Sequence, residues 1–291
     1  MSEFSDLGGA VAVVTGGAGG IGRGIVEALL EQGASVVIAD VEQAALDRAV
    51  VSLGPSVWGV QVDVSDFDAV DRLAASVFER YGRCNLLFNN AGVTSGGGGK
   101  PWEQEANDWK WCFSVNVFGV ANGMLAFVPR MLASGSPGVV VNTSSGDGGI
   151  APVPYASVYA ASKAAVTCLT ESLAHQLHDS GANVRAAVFY PSGGLLDTGL
   201  WTAARNRPDS LARQRPRPPA PGTTFEEFRE QLRAAGRNAD VMDLDELGRF
   251  VVGGIKAGAF IIGHDLDDAG VLLHARADAI AKGELPPAAV I

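Results

Sequence analysis

Cysteine is scarce in this 291-residue sequence, and the three present, Cys84, Cys112 and Cys168, are odd in number and far apart. With no Cys-x-x-Cys pair, the pattern speaks against a disulfide scaffold and for a reducing compartment, with the thiols serving as small buried hydrophobes. Histidine is nearly as rare. His175 and His178 stand three apart on a helical stretch, but no further ligands converge on them in sequence, so no metal site is expected. Basic residues are outnumbered, 22 against 32 acidic, leaving a formal charge of −10. Such a surface repels phosphate backbones and anionic headgroups, so neither nucleic acid nor a membrane is an expected partner. No apolar run approaches the ~20 residues of a membrane span. Residues 1–9 lack the basic start and apolar stretch of a signal peptide, and a cytoplasmic location is the expectation. Gly-x-Ser-x-Gly is missing as well, which removes support for a hydrolase nucleophile elbow.

What is abundant is apolar residue, at 47% of the chain, in short continuous runs. Ala10–Thr15, Ser35–Asp40, Val57–Asp63, Asn85–Asn89, Gly138–Thr143 and Asn183–Tyr190 are rich in Val, Ile, Leu and Phe, as strands buried on both faces are. Ile21–Gln32, Gln43–Leu53, Phe67–Tyr81, Gln104–Leu132 and Tyr159–Asp179 lie between or after them with helical spacing. A helix at Leu244–Ala257, a short strand at Phe260–Gly263 and a helix at Leu266–Lys282 follow. This alternation predicts an α/β fold, a doubly wound parallel sheet with helices on both faces. No linker or repeat divides residues 1–291, so one domain is expected.

Two stretches break the pattern. Ser95–Lys100 holds four consecutive glycines, and Arg205–Pro221 holds five arginines and five prolines. The second cannot form a strand or an uninterrupted helix. A short amphipathic helix at Thr223–Gly236, with Phe225, Phe228 and Leu232 on one face, follows it. Residues 194–236 therefore read as a flexible lid inserted beside the site.

The loop after the first strand runs Thr15-Gly16-Gly17-Ala18-Gly19-Gly20-Ile21-Gly22 and leads into a helix. Glycines there allow a tight turn and close backbone approach to a pyrophosphate, which the helix N-terminus attracts with its free N–H groups. The second strand ends in Asp40, eighteen residues past Gly22. A carboxylate at that place accepts both ribose hydroxyls of an adenosine and repels a 2′-phosphate. With no Lys or Arg inside the loop, NAD is the expected cofactor.

Tyr159-Ala160-Ala161-Ser162-Lys163 carries the chemistry. The ordinary pKa of tyrosine is ~10, too high for efficient proton transfer near neutrality. A lysine four residues on sits one helical turn away, and its charge is expected to draw the phenol toward neutrality.

Thr15-Gly16-x-x-x-Gly20-x-Gly22, Asp63-Val64, Asn89-Asn90-Ala91-Gly92, Asn116, Ser144-Ser145 and Tyr159-x-x-x-Lys163 stand in an order that resembles the short-chain dehydrogenase/reductase family over nearly the whole chain. The resemblance implies a Rossmann-like sheet of seven strands and hydride transfer between NAD(P) and a small-molecule alcohol or ketone. It implies that Gly16, Gly19, Gly20, Ile21 and Gly22 form the cofactor loop, and that Asp63 and Val64 hold the adenine edge. Asn90 then lies by the adenosine ribose, and Pro191 and Thr198 by the nicotinamide carboxamide. By the same likeness Tyr159 is the general acid–base, Lys163 binds the nicotinamide ribose, Ser145 orients the substrate oxygen and Asn116 supports a proton relay. Ser145 precedes Tyr159 by fourteen residues where the family usually has thirteen, which leaves Ser144 and Ser145 both open. Family members pair through the two long helices, so a homodimer or homotetramer is expected.

The segment Asn116–Met124, continuing to Phe127–Met131, is similar to a bacterial subfamily that includes benzylic Cα-alcohol dehydrogenases. Together with Trp201, Phe225 and Phe228 in the lid, this points to a bulky hydrophobic or aromatic substrate; a hydroxysteroid or terpenoid alcohol fits the same residues. A non-catalytic NAD-sensing protein on the same fold is the alternative from another class. The retained Tyr159, Lys163, Asn116 and serine speak against it.

Overall fold

In the computed structural model, which describes Phe4 and residues 6–95, 99–215 and 224–289, successive strand residues turn to opposite sides of one sheet, as the two-residue period of a strand requires. Ala12 and Val14 of β1 (Val11–Thr15) enter one core, and Val11 and Val13 the other. β2 (Ser35–Asp40) repeats the pattern, with Val36 and Ile38 on one side and Val37 and Ala39 on the other. Both faces are apolar because both are covered, which is why the runs are continuous rather than alternating.

α1 (Gly20–Glu31) follows β1, and α2 (Gln43–Leu53) leads to β3 (Val57–Gln61). α3 (Phe67–Tyr81) precedes β4 (Leu86–Asn89). The Asp66 side chain accepts from the N–H groups of Asp68 and Ala69 and so caps α3, a contribution of about 1 kcal/mol. α4 (Ala106–Phe113) and α5 (Gly119–Ser134) come next, then β5 (Gly138–Thr143), α6 (Ser157–Asp179) and β6 (Val184–Phe189). α7 (Phe225–Ala234), α8 (Leu244–Lys256), β7 (Ile261–Ile262) and α9 (Leu266–Lys282) complete the described chain. All pairings are parallel, in the order β3-β2-β1-β4-β5-β6-β7. The order reverses between β1 and β4, opening a crevice at the carboxyl ends of those strands. This is the expected doubly wound, Rossmann-like sheet of seven strands.

The long helix expected over Gln104–Leu132 is instead α4 and α5 joined by a π-type turn at Ser114–Phe118. The widened turn rotates Asn116 inward, where it is 1% exposed, and such turns concentrate at functional sites. Joined, Ala106–Ser134 is long and apolar enough to cross a membrane, contrary to the reading of short apolar runs. Its apolarity has a local cause: Ala126, Phe127 and Met131 are packed into the core beneath the sheet. Among the cysteines, Cys84 and Cys112 are buried as expected, but Cys168 is exposed on α6.

The described part of the segment after β6 is tied down rather than loose. Arg205 and Asn206 both donate to the Glu42 carboxylate, just after β2. Arg207 and Arg213 donate to the two oxygens of Asp108 at 2.8 and 2.6 Å, and Asp108 on α4 is wholly buried. Glu105 accepts from the Gln214 and Arg215 amides. Trp201 packs on Phe225 and Phe228, with ring centroids 5.8 and 5.3 Å apart, so these aromatics anchor α7 to the segment. Residues 96–98 of the glycine loop and residues 216–223 of the Pro/Arg stretch lie outside the described residues.

Candidate active site

The loop from β1 to α1 is shaped to admit a phosphate. Gly16 has φ +64°, and a Cβ there would stand 2.9 Å from the Ala91 backbone. A Cβ on Gly22 would meet the Gly16 carbonyl oxygen at 2.1 Å. Any larger residue at either place would open the loop. Gly19 is the N-cap of α1, no side chain caps that terminus, and a Cβ on Gly19 would meet open space. Uncapped N–H groups at an open helix N-terminus form an anion site. These residues fit the pyrophosphate of a dinucleotide.

Asp40 closes the second strand beside this loop, and its two oxygens accept from the Ala18 and Glu42 amides. Burial pushes its carboxyl above the ordinary value, while those two amides partly offset the effect. Asn90 reaches back from the end of β4 to donate to the Thr15 carbonyl at 3.0 Å. Thr15 in turn accepts from the Asn90 and Ala91 amides, so it locks the two loops together; its place at the head of the glycine motif is the sequence signal for it. Val64 is buried and holds Asn122 through its carbonyl, at 2.8 Å. Asp63 is exposed and binds Ser65. Ile21 and Pro191 are half-buried, at the start of α1 and just after β6. Thr198 lies against the loop: a Cβ on Gly20 would meet its Cβ at 3.2 Å. Gly20, Thr198, Trp201, Phe225 and Leu244 line a cavity of about 540 Å³.

The remaining residues gather at the ends of β4, β5 and α6. Ser144 turns inward, its hydroxyl donating to the Lys163 carbonyl and bonded to Thr167, each at 2.8 Å. Ser145 turns the other way. Its hydroxyl accepts from the Asp147 amide at 3.1 Å, and its side chain is near enough to the Tyr159 phenol to favour the ionised form. The pair left open in the sequence is thus divided by geometry, and Ser145 is the one that reaches the tyrosine. The Lys163 ammonium donates to the Thr143 carbonyl at 2.8 Å. Gly92 lies between Lys163 Nζ and Asn116 Oδ1, which a Cβ there would meet at 3.6 and 3.5 Å. The Asn116 amide clamps Val93, accepting from its N–H and donating to its carbonyl, and also donates to Ser162 at 2.9 Å. Ser162, inside the Tyr159–Lys163 motif, is a partner that spacing alone did not single out.

Electrostatics depart from expectation. Burial pushes the Tyr159 phenol upward, the Asp147 carboxylate adds to the rise, and the Ser145 hydrogen bond opposes it. The expected downward pull by Lys163 does not prevail. Its Nζ lies over the tyrosine ring, 5.7 Å from the centroid, and not on the hydroxyl. Burial also pushes the lysine itself down to about 8 from its ordinary 10.5.

A pH-dependent stability follows. The folded value of Lys163 lies below its unfolded value, so the unfolded chain binds more protons between about pH 8 and 10.5. Stability from this group therefore rises with pH across that window, and its burial penalty is full below pH 8. Relative to Lys163→Met, the wild type is expected to gain in urea midpoint from pH 8 to pH 10. A difference that stays flat with pH would show that Lys163 does not titrate there.

A sheet with a switch-point crevice, an uncapped glycine-rich helix start and a Ser–Tyr–Lys cluster together define a dinucleotide-dependent oxidoreductase class. The family model described as short chain dehydrogenase matches residues 10–209, and the chain belongs to that family. A C alpha-dehydrogenase of Sphingobium sp. (strain NBRC 103272 / SYK-6) is 38% identical over 213 residues, which cover 72% of this chain and 66% of that relative. A short chain dehydrogenase/reductase from Burkholderia phymatum, solved in complex with NAD, superposes with a TM-score of 0.85 at 34% identity, over 98% of this chain and 99% of that one. A metagenomic short-chain oxidoreductase solved with NADP matches with a TM-score of 0.58 at 33% identity, over 64% of this chain and 84% of that one. Among the described residues, no group of three His, Cys, Asp or Glu side chains is placed to hold a metal ion.

Proposed function

We propose that this chain interconverts a secondary alcohol and a ketone with NAD as hydride carrier, on a substrate with a bulky apolar or aromatic body. The observation that carries this reading is the convergence of Ser145 and Lys163 on Tyr159 from two elements at the carboxyl edge of the sheet. Gly16, Gly19, Gly20, Ile21 and Gly22 would hold the cofactor pyrophosphate, with Asp40, Asp63, Val64 and Asn90 toward the adenosine. Pro191 and Thr198 would bound the carboxamide end. Bound there, the nicotinamide supplies or accepts the hydride.

The chain's own residues do the rest. Ser145 donates to the substrate oxygen and steadies the charge that develops on it. Tyr159 gives a proton to that oxygen in reduction or takes it in oxidation. Lys163, with a value near 8, exchanges protons with solvent near neutral pH, and Asn116 fixes the Val93 backbone that walls this route. The segment around residues 199–215 excludes water from the hydride path. Turnover of a panel of secondary alcohols, followed by NADH absorbance, tests the reading. Tight NAD binding with no turnover across the panel would instead favour the sensing alternative.

Asp40 supports NAD over NADP because a carboxylate, even a partly buried one, repels a 2′-phosphate. Asp40→Ala is expected to weaken NAD binding and strengthen NADP binding, a change in preference of roughly tenfold or more from removing one charge-assisted contact. A wild type that prefers NADP would contradict this placement.

We also propose a homodimer or homotetramer formed through α5 and α6. Phe118, Leu125 and Leu132 are exposed along the α5 side, and Ala164 and Cys168 on α6 are exposed and small. Light scattering at micromolar concentration is expected to give a multiple of the 30.0 kDa chain mass; a monomer mass would exclude the interface.

A further inference from the structure

The short turn at Gly146–Gly149 sets a carboxylate beside the candidate catalytic tyrosine with no partner to answer it. Asp147 makes no side-chain hydrogen bond or ion pair among the described residues, although it is half-buried. Its backbone is held from two sides. The Asp147 amide donates to Ser145 Oγ at 3.1 Å, and the Gly148 amide donates to the Ala151 carbonyl at 2.7 Å. Gly148 has φ +98°, and a Cβ there would stand 1.9 Å from the Ala160 carbonyl oxygen. The turn is therefore pressed onto the first turn of α6, next to Tyr159, and cannot swing Asp147 away without losing that fit. The carboxylate lies close enough to Tyr159 to disfavour the phenolate. Burial holds the Asp147 carboxyl above its ordinary value, with nothing opposing the rise.

A half-buried carboxylate without a partner carries part of the desolvation cost of a buried charge, and one beside a tyrosine that must carry charge hinders the chemistry as well. Both costs fall when a hydrogen-bond donor on the substrate reaches the carboxylate. We propose that Asp147 is a specificity-determining residue that selects substrates bearing a hydroxyl on the carbon next to the reacting carbinol. This rests on the alcohol–ketone reading above and deepens it: the substrate has an apolar body but a polar neighbour at the reacting end. A hydroxyl suits the place better than an ammonium because bringing a cation into this half-buried turn carries its own desolvation cost. A hydroxyl also bonds Asp147 in either protonation state, since it both donates and accepts.

The test compares kcat/KM for 1-phenylethanol, 1-phenylethane-1,2-diol and 2-amino-1-phenylethanol in the wild type, Asp147→Ala and Asp147→Asn. Effects of Asp147 on Tyr159 act on all three alcohols and cancel in the ratios between them. The diol is expected to be preferred over the mono-alcohol by roughly tenfold or more in the wild type, as for a hydrogen bond to a charged group. That preference is expected mainly in KM, to vanish in Asp147→Ala, and to be partly kept in Asp147→Asn, whose amide oxygen still accepts. Equal ratios in wild type and Asp147→Ala overturn the assignment, and so does a wild-type preference for the amine over the diol. So does oxidation of other secondary alcohols with none of the three accepted. No alcohol oxidation with either NAD or NADP is a separate result: it overturns the alcohol–ketone reading itself and takes this assignment with it.

Discussion

Tyr159→Phe is expected to lower kcat by about 10²–10⁴, the usual cost of removing a general acid–base, with NAD affinity close to that of the wild type. The phenylalanine keeps the ring against Lys163 and removes only the hydroxyl that meets Ser145. The loss falls on kcat more than on KM because the proton is in flight only in the transition state. The measurement is steady-state turnover of any accepted alcohol beside an NAD titration of the same protein. Near-normal turnover would remove Tyr159 from the chemistry, whereas lost NAD binding would assign it a structural part in the cofactor groove. The upward push on the phenol sets the pH course: oxidation, which needs the tyrosine to accept a proton, is favoured as pH rises.

Asp108→Asn is expected to release the segment after β6 at a cost of about 3 kcal/mol, the low end for breaking a buried ion pair. Asp108 is wholly buried and takes one guanidinium on each oxygen, from Arg207 and Arg213. An amide of the same shape would leave both arginines facing a neutral group, with Arg207 9% exposed and poorly able to reach water. Glu105 still faces Arg213 at 3.6 Å, which is why the low end applies. The effect is local. Hydrogen exchange is expected to quicken over residues 199–213 while β1, β4 and β5 stay protected. If exchange there matches the wild type, the ion cluster does not hold the segment. Because this segment runs from Thr198 past Glu42 to α4, its release is also expected to raise KM for the cofactor.

The sequence by itself determined the sheet, the cofactor loop and the Tyr159–Lys163 pair, because each rests on local order. Buried parallel strands show as short apolar runs, the loop as glycines between a strand and a helix, and the pair as residues one helical turn apart. Strand ends were read one or two residues long, as at Val57–Asp63 against the observed Val57–Gln61, since pairing stops where the neighbouring strand stops.

Only the tertiary structure decided what depends on distant partners or on direction. Ser144 and Ser145 are equivalent in composition, but extended backbone sends their side chains opposite ways, to Lys163 and to Tyr159. Gly24 and Gly248 let α1 and α8 touch, a Cβ on Gly24 falling 2.1 Å from the Leu244 carbonyl oxygen, and neither position is marked by spacing. The arginines after β6, read as a flexible stretch, meet Asp108 and Glu105 about a hundred residues earlier. The phenol is pushed up rather than down because burial and the Asp147 carboxylate outweigh the opposing Ser145 contact. Desolvation is set by everything packed around a group, and spacing along one helix carries no record of it.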